Sequence, residues 1–95
     1  MAAYAIFMRE STNDQAELDT YSATVRPTLG GHPVKPLASY GKLQVLEGPE
    51  FEGAVVLEFP SAAEARAWYE SSEYQAVLPH RKAGATYRAF IVEGV

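Results

Sequence analysis

Residues 3–9 read AYAIFMR and residues 53–59 read GAVVLEF. In an extended chain successive side chains point to opposite sides, so each stretch presents two rows. In the first, Tyr4, Ile6 and Met8 form one row and Ala3, Ala5 and Phe7 the other. In the second, Val55, Leu57 and Phe59 oppose Ala54, Val56 and Glu58. A strand with one wet face alternates apolar with polar residues; these do not. Residues 86–93, TYRAFIVE, repeat the pattern, with Tyr87, Ala89 and Ile91 against Arg88, Phe90 and Val92. Three strands apolar on both sides require a sheet that is covered on both sides.

The intervening segments say what covers one of those sides. Ser11, Thr12, Asn13 and Asp14 supply turn and N-cap chemistry. A helix follows, with Leu18, Tyr21, Ser22 and Val25 at three- and four-residue spacing. Pro27 ends or kinks it near Arg26, and Leu29 carries the stripe one turn further before Gly30-Gly31 stops it. After His32, the stretches Lys35 to Tyr40 and Lys42 to Glu47 read as two arms of one bent strand or hairpin, interrupted at Gly41. Gly48-Pro49 turns the chain into the strand at 53–59, which Pro60 ends. Ser61 to Glu64 has the form of a capping box opening a helix with Ala65, Trp68 and Tyr69 on one stripe. Ser71-Ser72 ends that helix and caps a short second one at Glu73 to Leu78, with Tyr74, Val77 and Leu78 inward. Pro79 then either kinks this helix or starts another turn toward Ala83, and Gly84 closes it.

Strand, helix, strand, strand, helix, strand is the split β-α-β order of a ferredoxin-like α+β fold with a four-stranded antiparallel sheet. Helices on one side of such a sheet leave its other face bare, as a patch larger than monomers usually expose. Pairing two sheets face to face hides it, so the expectation is a homodimer, a dimeric α+β barrel built from one domain over residues 1–95. A chain this short buries only about 60–65% of the surface its unfolded form exposes, and fifteen of its apolar residues are small alanines. Both facts favour borrowing core from a partner.

Eight Lys and Arg against twelve Asp and Glu leave a net charge of −4 with no basic run. Such a surface repels phosphate backbones, so no nucleic-acid partner is expected. The absence of cysteine excludes disulfides and thiolate chemistry and fits a reducing cytoplasm. No apolar run approaches the roughly 18 residues that would cross a bilayer, and Met1 to Glu10 gains charge too early for a signal peptide. A soluble cytoplasmic protein without membrane partners is expected.

A longer pattern runs through the second half: Leu46-Glu47-Gly48, then Val56-Leu57-Glu58-Phe59-Pro60-Ser61, then Ala65-Arg66-Ala67-Trp68-Tyr69, then Ser71-Ser72-Glu73-Tyr74-Gln75, then Arg81, closing on Ile91-Val92-Glu93-Gly94-Val95. In this order and spacing it resembles the domain-of-unknown-function family 1330, with Tyr21 and Gly30-Gly31 fitting the N-terminal half. The resemblance covers essentially the whole chain. It implies a small bacterial protein of dimeric α+β barrel fold, with no activity established for the family as a whole. Where the family tends to place a basic residue and then a regular strand, this chain has His32-Pro33, with Pro36 soon after.

Among residues able to carry chemistry, Arg81 is the leading anion binder, because its planar fork suits a carboxylate; the competing reading is a salt bridge to Glu58 or Glu73. Glu58, in an otherwise apolar strand, either pairs with an arginine or serves proton transfer. His80, beside Arg81, is the other acid–base candidate. Trp68 and Tyr74 are core residues or pocket walls, and Tyr21 and His32 complete the ligand-side candidates. Glu47, before Gly48, shapes a turn. Two distant histidines offer no metal-ligand spacing, no phosphate loop or nucleophile elbow is present, and no cofactor is expected. Three functions remain open: binding of a small organic anion between sheet and helices; a cofactor-free monooxygenase or isomerase by analogy of fold; and a structural or regulatory dimer without ligand.

Overall fold

The computed structural model describes residues 1–95. Strand β1 (Ala3–Thr12) outruns its apolar core because Ser11 and Thr12 still pair with the last strand beyond a register shift at Glu10. Asp14 then caps α1 (Gln15–Val25), its carboxylate accepting from the backbone N–H groups of Ala16 and Glu17 at 3.1 and 3.4 Å. Pro27 stops the regular helix, and the chain tightens into one 3₁₀ turn over Arg26–Leu29. Strands β2 (Lys35–Ser39) and β3 (Gly53–Phe59) follow, then α2 (Ala62–Tyr69), α3 (Ser72–Gly84) and β4 (Ala85–Glu93). The sheet runs β2-β3-β1-β4 with every neighbour antiparallel, the ferredoxin-like order expected.

Two expectations for local structure need correction. Lys42 to Glu47 is no strand: regular structure stops at Ser39. Tyr40 takes a left-handed φ of 55° while its N–H still bonds Ala54, so the chain leaves the sheet edge with no strand left to pair with. Leu46 accordingly stands 91% exposed. The segment read as a short helix at Glu73 to Leu78, with Pro79 kinking it or starting another turn toward Ala83, is one 13-residue α3 running through Pro79. A proline in a helix interior costs about 3 kcal/mol, yet burial of Tyr74 and Leu78 in the core holds the helix on the sheet. Half of the expected capping box forms: Ser61 accepts from the Glu64 N–H at 3.2 Å, while Glu64 makes no return bond.

The registers settle which row faces which way. Ala3, Ala5, Phe7, Leu57 and Phe59 are buried under the helices. Trp68 fills the centre, with ring centroids 5.9 Å from Phe59, 6.0 Å from Phe7 and 4.4 Å from Tyr74. The opposite face carries Tyr4, Ile6 and Met8, with Val56 and Phe90 both opposite Ile6. No helix covers it, and Phe90 and Val92 are each 45% exposed. Gly84 lets α1 approach α3: a Cβ there would lie 2.8 Å from Leu18 Cγ and 2.9 Å from Leu18 N. Its carbonyl also accepts the Asn13 and Asp14 N–H groups, tying the start of α1 to the end of α3.

Candidate functional site

Between the sheet and α1 lies a cavity of about 250 Å³. Phe7, Val55, Leu57 and Tyr87 give its sheet side, Tyr21 and Val25 its α1 side, and Pro36 and Tyr40 the rim at β2. Arg81 enters from α3, where the 3.6-residue period that buries Tyr74 and Leu78 also carries Arg81 inward. Only 5% of this residue is exposed, and its guanidinium lies 4.8 Å from the Tyr87 ring centroid and 5.4 Å from that of Phe7. Arg81 Nε is buried with no hydrogen-bond partner. The arginine–carboxylate pairs of the structure are Arg9–Glu52 and Arg66–Glu70, and His80 contacts Glu17, so neither Glu58 nor Glu73 neutralises Arg81. No Asp or Glu lines the cavity, although the chain carries twelve, and the exposed Arg26 adds positive charge at its edge.

Around the arginine the polar groups are phenols joined in pairs. The Tyr21 and Tyr74 hydroxyls are 3.0 Å apart, and those of Tyr40 and Tyr87 bond each other. Tyr40 reaches that position because residue 53 is glycine: a Cβ there would sit 2.6 Å from Tyr40 Cδ1. Arg9 lies over the outer Tyr40 face at 4.8 Å and is itself held by Glu52. Burial, reinforced by the neighbouring Tyr74, pushes ionisation of Tyr21 far above the ordinary phenol range. Burial and the bond to Tyr87 do the same for Tyr40, and burial raises Tyr74. These phenols stay protonated at physiological pH.

The sequence candidates separate into two groups. Arg81, Trp68 and Tyr21 line the cavity; Tyr74 lies fully buried behind it, bonded to Tyr21. Trp68 is oriented by its indole N–H, which donates to the buried Thr28 hydroxyl at 3.1 Å. The two proton-carrier candidates lie elsewhere. Glu58 occupies the helix-free row of β3, opposite Tyr4 and Lys35, and shares only a shallow depression with His32. His80 points at α1, where its Nδ1 is 2.6 Å from a Glu17 carboxylate oxygen. Tyr40 and Tyr87 belong to the site but were not among the candidates. A glycine opening an otherwise apolar strand was the available signal, since it marks close approach of another group.

A second groove of about 300 Å³ runs between α2 and β4. Its one charged residue, Arg66, pairs with Glu70, so no unpartnered charge faces a ligand there.

The sheet order and the helices on one face define a ferredoxin-like α+β protein with a cationic, phenol-lined cavity. Residues 2–95 match the family described as Domain of unknown function (DUF1330), and the chain belongs to it. No curated protein matches the chain. Among solved structures it is similar to a protein of unknown function from Rhodopseudomonas palustris, at 16% identity and a TM-score of 0.77, covering 99% of this chain and 82% of that one. It is also similar to a dimeric ferredoxin-like protein of unknown function from Thermobifida fusca, at 16% identity and a TM-score of 0.67, covering 99% and 92%. A third is SnoaB, a cofactor-independent oxygenase from Streptomyces nogalater, at 9% identity and a TM-score of 0.65, covering 99% and 93%. At these identities the likeness is one of fold. No helix is long and apolar enough to cross a membrane.

Proposed function

We propose that this protein binds a small organic anion in the cavity between sheet and α1, with Arg81 as the anchor. The observation that carries the reading is a buried guanidinium with no carboxylate partner and an unbonded Nε. A buried charge is costly unless paired, and an anionic ligand supplies the missing pair. Two N–H groups of a guanidinium meet a carboxylate side by side, which adds direction to the attraction. The cavity is below the roughly 300–1,000 Å³ usual for drug-sized ligands and suits a molecule of about one substituted ring.

The ligand-free alternative needs Arg81 tied to the protein's own acids, and it is not. A cofactor-free monooxygenase or isomerase needs a proton acceptor in the cavity. Glu58 and His80 lie outside it, and the phenols there hold their protons. Binding is therefore the better-supported function. The working unit is a homodimer joined through the helix-free face, whose apolar centre at Ile6, Val56 and Phe90 has no cover within the chain. The dimeric Thermobifida fusca relative supports the same assembly.

Titration with small carboxylates and their amides, followed through the fluorescence of the single tryptophan, Trp68, tests the site. Saturable binding of acids but not amides is expected; equal response to both contradicts an anion site. Sedimentation at micromolar concentration is expected to show twice the chain mass, and a single species at the chain mass contradicts the dimer.

A further inference from the structure

We propose that the ligand is a small ring-bearing carboxylate with a second, hydrogen-bond-accepting oxygen, the carboxylate taken by Arg81 and the second oxygen by the Tyr40–Tyr87 hydroxyl pair. This rests on the anion-binding reading and specifies its ligand. A proton count carries it. Each phenol owns one hydrogen; within a bonded pair one is spent on the partner and one remains free to donate. Neither hydroxyl of this pair bonds any other protein group. The Arg81 guanidinium stands 4.8 Å from the Tyr87 ring centroid, so the spare O–H and the cation address the same end of the cavity. Arginine has no acceptor, and burial keeps the Tyr40 phenol protonated. The site therefore presents donors, and a matching ligand presents acceptors. The remaining surface is flat: Phe7, Trp68 and Tyr21 supply ring faces and edges, which favour a planar apolar body.

The count makes an unusual forecast for substitutions. Removing one hydroxyl of the pair removes one hydrogen and also its acceptor, so one donor still remains. Removing both leaves none. The probes are the three methoxybenzoates and the matching ethylbenzoates, which differ by one ether oxygen in place of a CH₂, with acetate as a minimal acid. The readout is affinity from Trp68 fluorescence in the intact protein. At least one methoxybenzoate isomer should bind about 3–10-fold more tightly than its ethyl counterpart. Tyr40→Phe and Tyr87→Phe, each alone, should keep most of that advantage, and the double variant should lose it, the methoxy and ethyl acids then binding alike. A circular dichroism spectrum unchanged from the parent shows that the double variant has stayed folded. If acids bind but the ether oxygen confers no advantage, or the double variant keeps it, this inference falls and the anion site stands. If neither benzoates nor acetate bind, the anion site falls and takes the inference with it.

Discussion

Replacing Arg81 by methionine should leave the ligand-free protein about as stable as the parent and its pocket useless. In the structure the guanidinium is buried without a counter-ion, while its stem follows the length a methionine occupies. Exchange of buried charged groups for apolar residues of similar volume is commonly neutral or stabilising by about 1–4 kcal/mol. Against this, the Phe7 and Tyr87 rings lose a desolvated cation, at up to about 2 kcal/mol each. The two terms roughly cancel, so Tm should move by less than about 4 °C. Charge-assisted hydrogen bonds contribute about 1.5–3 kcal/mol, so affinity for a carboxylate should fall roughly 10- to 100-fold. Thermal unfolding of both proteins, with and without a saturating benzoate, reads the two effects together. A variant that melts several degrees lower, or that binds acids as well as the parent, refutes the reasoning and makes Arg81 a structural residue.

Gly84→Ala should destabilise by about 1–3 kcal/mol without touching the cavity, because its Cβ would meet Leu18 at 2.8–2.9 Å, part of it backbone; calorimetry should show a lower Tm with acid affinity kept. Alkaline pH should weaken the fold through Tyr21, Tyr40 and Tyr74, whose phenols ionise later in the folded than in the unfolded chain. Their contribution is whole below pH about 10 and is lost as pH climbs beyond it, by up to about 1.4 kcal/mol per pH unit for each phenol. Urea unfolding between pH 8 and 12 should show that decline, and Tyr21→Phe should make it shallower. Ile6→Lys places a charge at the centre of the helix-free face, opposite Val56 and Phe90, and should halve the sedimenting mass while leaving the circular dichroism of the fold intact.

What the sequence shows most clearly is what local alternation dictates. The three doubly apolar strands declare themselves because each residue's side of the sheet follows from its position alone, as the Ile6–Val56 and Ile6–Phe90 registers bear out. Capping at Asp14, Ser61 and Ser71 is equally local and equally readable. Lys42 to Glu47 misleads because its alternation is genuine, but a strand also needs a neighbour, and the left-handed turn at Tyr40 removes it. Pro79 misleads in the opposite direction: its cost is local, while the burial of Tyr74 and Leu78 that outweighs it is tertiary. The site follows the same division. Arg81 is visible as an anion binder near a helix end, but the Tyr40–Tyr87 pair joins residues 47 positions apart across the sheet. Only the glycine at position 53 hints at it, through the space that it leaves for the Tyr40 ring.

A crystal structure of the protein grown with a methoxybenzoate tests the anion site most directly. The expected result is a carboxylate oxygen about 2.7–2.9 Å from a guanidinium nitrogen of Arg81, in the cavity beside Tyr21 and Trp68. An Arg81 swung onto one of the protein's own carboxylates, with the acid absent or lodged elsewhere, contradicts it.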